Sequence, residues 1–158
     1  MSDADIQRAV KTALLKVGAE PGPLLEILHA VQDELGHVPA AAVPLIAEAL
    51  NLSRAEVHGV VSFYHHFRAA APGHTVVQLC RAEACQAMNA QALEAHATRA
   101  LGVSCGETTA DGRVTLEAVY CLGNCACAPS MMVNGELHGR VTPASFDELA
   151  QAWRGARS

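Results

Sequence analysis

The chain lacks the features of several common protein classes. It has no cluster of lysine and arginine, and its net charge is -5 at neutral pH, so no basic surface is present to neutralise nucleic-acid phosphates. No apolar run approaches the roughly 20 residues that a membrane-spanning helix needs. The first ten residues lack the basic start and the apolar core of a signal peptide. These absences predict a cytoplasmic protein with no nucleic-acid partner and no membrane span.

The chain also lacks a Cys-x-x-Cys motif, although it contains 6 cysteines. This absence argues against a thioredoxin-type redox pair. The usual zinc patterns often recruit histidine, and the lack of Cys-x-x-Cys makes a structural zinc site less favoured. In a reducing compartment, cysteines serve more often as metal ligands or free thiols than as disulfides. Metal binding is therefore the first function to consider.

Two short stretches, Cys80–Cys85 and Cys121–Cys125, each hold a pair of cysteines. Four thiolates in two clusters far apart in sequence suit a soft four-coordinate iron–sulfur or zinc centre, because each pair supplies half of the site and the fold joins the halves. The first spacing matches the opening of the plant-type ferredoxin pattern, but the second does not. The pattern favours a [2Fe–2S] site of another ferredoxin class, with structural zinc as the alternative.

Two cysteines remain outside these pairs. Cys105 lies in a short apolar run, and we expect a thiol without a role there. Cys127 follows Cys125 by two residues and could compete with it as a ligand. We favour Cys125, because it is paired with Cys121 across a loop that contains Gly123, which allows the backbone to approach inorganic sulfide closely.

The first half of the chain, which carries no cysteine, has apolar residues at helical spacing. The pattern predicts four helices, over residues 3–17, after Pro23, after Pro39 and after a capping box formed by Ser53 and Glu56. The run Ala-Ala-Ala-Pro-Gly at 69–73 is a candidate linker. We therefore predict a helical bundle domain over residues 1–70, serving in packing or docking, and a second domain over residues 71–158.

The second half alternates between strand and helix patterns. A β-rich run at 75–79 leads into Cys80, a loop at 81–86 and a helix at 87–101 follow, and an alternating run from Val114 ends at Cys121. A hairpin around Asn134-Gly135 and a last helix opened by Pro143 complete the order. The fold class is α+β, a helical bundle followed by a thioredoxin-like α/β domain, in which Pro129 is the candidate for a cis proline.

Both ligand pairs are thus expected at strand ends, where open α/β folds place their sites. The helix that follows Cys80 would direct its free N–H groups and positive dipole toward anionic thiolates. Arg81 and Glu83 are expected to be solvated loop residues. The 8 histidines are scattered, and we expect them to be surface or hydrogen-bonded residues rather than ligands.

Several motifs together resemble the family of thioredoxin-like [2Fe–2S] subunits, and the resemblance extends from about residue 20 to the last helix. One departure is Asn89, where a glycine is common, but asparagine also tolerates positive φ. The motifs that carry the resemblance are Leu25-Glu-Ile-Leu-His-Ala-Val-Gln32, Gly36-His-Val-Pro39, Val61-Ser-Phe-Tyr64, Cys80-x4-Cys85, Thr108-Thr-Ala-Asp-Gly112 and Cys121-Leu-Gly-Asn-Cys125-x3-Pro129.

The resemblance implies that Cys80, Cys85, Cys121 and Cys125 bind the cluster. The family includes the small iron–sulfur subunit of respiratory complex I, its counterpart in NAD-linked hydrogenases and the gamma subunit of soluble NAD-dependent formate dehydrogenases. The ligand loops look most similar to the formate dehydrogenase subunit. This implies an electron-transfer subunit with two partners, an FMN- and NAD-binding subunit and a molybdenum- and iron–sulfur-containing catalytic subunit.

Two alternatives remain open from the sequence. The first is the equivalent subunit of complex I or of a hydrogenase, which would carry out the same electron transfer in another assembly. The second is a zinc-stabilised interaction module with no redox function. In every case the isolated chain is not expected to be catalytic, because it has no recognisable nucleophile arrangement, phosphate-binding loop or dinucleotide-binding motif.

Overall fold

The computed structural model describes residues 2–155, and the side chains of residues 2–153. This part of the chain contains seven α-helices and a five-stranded sheet, which confirms the α+β class. The chain divides into two compact units, and the division falls between Ala71 and Pro72. It lies one residue from the predicted domain boundary. None of the helices in the described part combines the length and apolar character needed to cross a membrane.

The first unit is a bundle of four helices. Their bounds are α1 Asp3–Val17, α2 Leu24–Leu35, α3 Ala42–Leu50 and α4 Arg54–Phe63. Short-range signals set these bounds. Ser53 and Glu56 form the predicted capping box at the start of α4, while Gly36 and Asn51 end α2 and α3 with φ angles of +79° and +54°.

The core of this bundle is aliphatic. Ile27, Leu28, Val31, Ile46 and Val57 are completely buried. On α2, Ile27 and Leu28 lie four and three positions before Val31, so this helix presents one apolar face to the others.

The second unit is a mixed sheet with three helices. Its elements are β1 Thr75–Cys80, α5 Glu83–Ala87, α6 Ala90–Leu101, β2 Glu107–Thr108, β3 Val114–Val119, β4 Met131–Val133, β5 Glu136–His138 and α7 Pro143–Gly155. The strand order is β2-β3-β1-β4-β5. β1 and β3 run parallel, and the other neighbouring strands are antiparallel. The predicted hairpin and last helix are confirmed.

The parallel pairing of β1 with β3 places the ligand loops side by side. Cys80, the last residue of β1, is paired with Val119, the last residue of β3. The carboxyl ends of both strands therefore meet at one edge of the sheet, where the chain enters the Cys80 and Cys121 loops. The core beneath this edge includes Val77, Leu116 and Phe146.

Two expectations for this unit were wrong in detail. The predicted loop at 81–86 is largely the short helix α5, because Glu, Ala and Gln are good helix formers. The predicted helix at 87–101 begins only at Ala90. Asn89 interrupts it with a φ of +65°, the left-handed conformation that asparagine was expected to tolerate. The Ala128–Pro129 peptide bond is cis.

Candidate metal centre

The first cysteine pair lies in a buried corner beside the sheet. Cys80 is 4% exposed and Cys85, on α5, is 3% exposed. Their side chains are in hydrogen-bonding contact, and they pack with Ala90 and Ala128. The backbone N–H of Cys80 donates to the carbonyl oxygen of Ser130 at 3.1 Å. This bond attaches the start of the first ligand loop to the segment that follows the second.

The second cysteine pair is exposed to solvent. The sulfur atoms of Cys121 and Cys125 lie 3.8 Å apart, and both residues are exposed. Cys121 has a φ of +90°, a strained conformation for a residue with a side chain, of a kind that occurs mainly at functional sites. The backbone N–H of Gly123 donates to the Cys121 sulfur at 3.3 Å. The loop therefore folds around its own first cysteine.

The sulfur of Cys80 joins the two loops. It accepts hydrogen bonds from the backbone N–H groups of Ala82, in its own loop, and of Cys121 and Leu122, in the other. Burial raises the pKa of the Cys80 thiol, but these donors and the Cys85 side chain outweigh burial and lower the pKa below its ordinary value. The backbone around Cys80 is thus arranged to stabilise a thiolate.

The thiols of Cys85 and Cys125 have raised pKa values. Burial raises the pKa of Cys85, against a lowering contribution from the Ser130 backbone N–H, and Cys80 raises it further. The adjacent Cys121 side chain raises the pKa of Cys125, with smaller contributions from burial and from Cys80. Each shift has the direction expected when several sulfur anions crowd together. A cationic iron centre would relieve that repulsion.

The separation of one sulfur pair fits two ligands of one tetrahedral metal. A tetrahedral metal with metal–sulfur bonds of about 2.3 Å places two of its ligands about 3.8 Å apart, and the Cys121 and Cys125 sulfurs have this separation. No group of three or more Cys, His, Asp or Glu side chains within the described residues is arranged to hold a single metal ion. The sulfurs stand as two pairs, as a cluster with two ligands on each iron requires.

The two remaining cysteines lie outside this arrangement. Cys127 is half-buried on a 3₁₀ turn, Cys125–Cys127, and its carbonyl oxygen accepts from the backbone N–H of Arg140 at 2.6 Å. Cys105 packs against the core of the sheet unit, and burial raises the pKa of its thiol. Cys105 thus packs against the core rather than standing at the surface, and that its thiol has no role stays a prediction.

The expectation of a solvated loop was wrong for Arg81. Its guanidinium forms a two-pronged salt bridge with Glu94 on α6. The Nε–Oε2 distance is 2.6 Å, and Nη2 donates to Oε1. No sequence pattern indicates this contact, because the partners lie 13 residues apart on different elements. Among the histidines, His37 and His96 are hydrogen-bonded, to the Leu35 carbonyl oxygen and the Asp147 carboxylate respectively.

Sequence reasoning also missed a glycine that shapes the second ligand loop. A methyl group at position 139 would come within 2.7 Å of the Cys127 Cβ and 2.6 Å of the Asn124 Nδ2. A Cβ atom essentially never lies within 3.0 Å of a non-bonded heavy atom, so only glycine fits there without a shift of its neighbours. Gly139 follows β5 directly, and it lets the chain after the hairpin lie against the 3₁₀ turn that carries Cys125.

Comparison with known proteins supports the cluster interpretation. The model of the thioredoxin-like [2Fe–2S] ferredoxin family matches residues 10–154. A component of the NADH-quinone oxidoreductase from Pseudomonas aeruginosa is 36% identical over 129 residues, which cover 82% of this chain and 78% of that protein. The HndA component of the NADP-reducing hydrogenase from Solidesulfovibrio fructosivorans is 29% identical over 144 residues, 91% of this chain and 84% of that protein.

A solved structure shows the same fold. In the H2-reduced NAD+-reducing [NiFe]-hydrogenase, the matching region has a TM-score of 0.72 and 26% sequence identity, and it covers 85% of this chain. The chain spans only 22% of the length of that hydrogenase chain. The similarity confirms the predicted thioredoxin-like architecture of the second unit.

Proposed function

The chain belongs to the thioredoxin-like [2Fe–2S] ferredoxin family, and we propose that it is the electron-transfer subunit of a multi-subunit, NAD-linked oxidoreductase. Its relatives are named as subunits of NADH-quinone oxidoreductase and of an NADP-reducing hydrogenase. In such an assembly the chain would carry electrons between subunits and would not bind the substrates itself. Its six unpaired cysteines suit a cytoplasmic location.

We propose Cys80, Cys85, Cys121 and Cys125 as the four cluster ligands. The observation that carries this assignment is the set of hydrogen bonds to the Cys80 sulfur. They come from the backbone N–H groups of Ala82, in its own loop, and of Cys121 and Leu122, in the other. These bonds bring the two cysteine pairs to one place. The Cys121–Cys125 separation of 3.8 Å then suits two ligands of one iron.

The ligand loops have distinct tasks in this proposal. When bound, the cluster supplies a one-electron carrier whose potential depends on hydrogen bonds, charge and exposure. The buried pair, Cys80 and Cys85, would anchor it in a corner from which water is excluded. The exposed pair, Cys121 and Cys125, faces solvent, so we propose that electrons enter and leave on that side. The backbone N–H groups aimed at Cys80 would stabilise the anionic sulfur in both oxidation levels.

The names of the relatives favour two parent assemblies over the one that the sequence motifs predict. The sequence motifs predict the gamma subunit of an NAD-dependent formate dehydrogenase, with a molybdenum-containing catalytic partner. NADH-quinone oxidoreductase and NAD(P)-linked hydrogenase have better support, because the relatives come from such enzymes. In all three assemblies we propose an FMN- and NAD-binding subunit as the direct electron partner. Formate dehydrogenase remains the narrower proposal.

A zinc-stabilised interaction module has less support. A structural zinc site needs four ligands around one ion, and the described residues contain no group of three or more candidate ligands arranged for a single ion.

Purification of the intact assembly tests this function. The chain, tagged at its native locus, should be isolated without oxygen, and the attached proteins, flavin, iron, zinc and molybdenum should be measured. Recovery of iron and an FMN-binding subunit supports the proposal, and molybdenum would identify the formate dehydrogenase type. A zinc-containing, iron-free chain with no flavoprotein attached would contradict it.

A further inference from the structure

We propose that Arg81 and Glu94 form a positioning pair that holds the two ligand loops together. In this pair the opposite effects of the two charges on the cluster's reduction potential cancel. The inference rests on the proposed function, since it concerns the potential of the bound [2Fe–2S] group. It assigns a role to two residues outside the ligand set, one of which follows Cys80 directly.

The geometry of the pair is that of a strong, oriented contact. Both terminal oxygens of Glu94 accept from the Arg81 guanidinium, one from Nε and the other from Nη2. About two thirds of the Arg81 side chain and three quarters of the Glu94 side chain are shielded from water, with exposures of 34% and 25%. A two-pronged arginine–carboxylate contact fixes orientation as well as distance, and partial burial reduces screening by salt.

The same arginine touches both ligand loops. Its backbone N–H donates to the Val119 carbonyl oxygen at 2.7 Å, and its side chain is hydrogen-bonded to Tyr120, the residue before Cys121. Its own carbonyl oxygen accepts from the Gln86 side chain at 2.7 Å, next to Cys85. Arg81 therefore contacts a neighbour of each cysteine pair, while Glu94 holds its guanidinium against α6.

The charges of the pair explain why both members matter. A reduced [2Fe–2S] cluster with four thiolate ligands is anionic, so a nearby positive charge favours reduction and a nearby negative charge opposes it. In the intact pair these effects largely cancel. Removing one member leaves the other charge uncompensated beside the loop that begins at Cys80, because Arg81 follows Cys80 and Glu94 is bonded to it. The two single substitutions should therefore shift the reduction potential in opposite directions, which a purely structural role would not do.

The test is a charge-cancellation cycle on the full-length, cluster-loaded chain. Glu94→Gln should raise the midpoint potential, Arg81→Gln should lower it, and the double variant should return close to the wild-type value. Arg81→Lys keeps the positive charge but loses the two-pronged contact with Glu94. Its midpoint potential should therefore lie nearer the wild-type value than that of Arg81→Gln. Arg81→Gln, which loses the side-chain contacts with Tyr120 and Glu94, should release iron to a chelator several-fold faster than wild type.

Matched controls come from an exposed ion pair of the same unit. Asp111→Asn and Arg113→Gln remove the same charges from a 3.6 Å pair at the far end of β3, whose six residues span about 20 Å. Their potentials should stay at the wild-type value. Far-UV circular dichroism establishes that each variant is folded. If Arg81→Gln binds no cluster, the rise in potential expected for Glu94→Gln still decides the sign of the effect.

The outcomes separate this inference from the proposed function. Opposite shifts that cancel in the double variant support the pair as proposed. Shifts in the same direction, no shifts, or equal shifts in the control variants would overturn it while leaving the electron-transfer function intact. A wild-type chain that never binds iron and sulfide would instead remove the proposed function.

Discussion

The backbone of Gly139 lies directly against Cys127, so that a methyl group at position 139 would come within 2.7 Å of the Cys127 Cβ and 2.9 Å of its carbonyl oxygen. Cys127 belongs to the 3₁₀ turn Cys125–Cys127, which carries a proposed ligand. The segment after β5 and the second ligand loop are thus packed with no room between them. A glycine distant in sequence helps to set the position of a cysteine sulfur.

The first prediction concerns this contact. Gly139→Ala should displace the 3₁₀ turn, because the obstructing atoms include backbone that cannot move alone. We expect weaker cluster retention and a stability loss of about 1–3 kcal/mol, measured by iron content and urea denaturation. Gly59→Ala, in the middle of α4, is the matched control, because nothing lies within 4 Å of its added methyl group. It should keep the cluster and gain about 0.5–1 kcal/mol.

The second prediction distinguishes two neighbouring cysteines. Cys125→Ser should lose iron and labile sulfide, because the Cys121 sulfur would lose its partner at 3.8 Å. Cys127→Ser should retain both, and Cys105→Ser serves as a control in the core of the sheet unit. The measurement is the iron and sulfide content after identical anaerobic reconstitution. Loss of the cluster from the Cys127 variant alone would refute the ligand assignment.

The third prediction concerns the helical unit. Gln32 is 4% exposed, donates to the His66 carbonyl oxygen at 2.8 Å and accepts from the Arg68 backbone N–H at 2.7 Å. Gln32→Leu would remove both bonds and should cost about 1–3 kcal/mol in denaturant unfolding. The exposed Gln7→Leu control should change stability by less than about 0.5 kcal/mol. Equal effects of the two substitutions would show that the buried amide has no special role.

The fourth prediction is a pH dependence at the start of α1. The Ser2 backbone N–H and hydroxyl, with Arg8, lower the pKa of Asp5 from 3.8 to about 2. A depressed pKa in the folded state means that the carboxylate stabilises the fold above its ordinary pKa and that this contribution disappears as the pH falls through the folded value.

Asp5→Asn should therefore be less stable than wild type at neutral pH, and the difference should shrink between about pH 4 and pH 2. Denaturant unfolding at several pH values measures it. Asp3→Asn is the control, since Asp3 lies in the same turn but outside the capping box. A stability difference that persists unchanged down to pH 2 would contradict the prediction.

The parts of the fold that follow from local patterns could be predicted from the sequence. The capping box at Ser53, the glycine that ends α2 and the hairpin at Asn134-Gly135 each depend on a few adjacent residues. The placement of Cys80 at a strand end also follows from a short β-rich run. Asn89 was expected to tolerate positive φ, and its φ of +65° confirms it.

The finer features of the candidate site depend on contacts between distant residues. The N–H groups of Cys121 and Leu122 reach the Cys80 sulfur only because β1 and β3 pair in parallel, and no local motif encodes that direction. The sequence does not distinguish Arg81 from other charged loop residues, because its contact with Glu94 depends on where α6 packs. The helix α5 could have been recognised from its composition of Glu, Ala and Gln.

The most direct test of the central claim is the composition and spectrum of the full chain prepared without oxygen. The account predicts about two iron atoms and two acid-labile sulfides per chain, with a rhombic paramagnetic signal after reduction. A preparation that is folded, contains zinc or no metal, and shows neither labile sulfide nor that signal would contradict it.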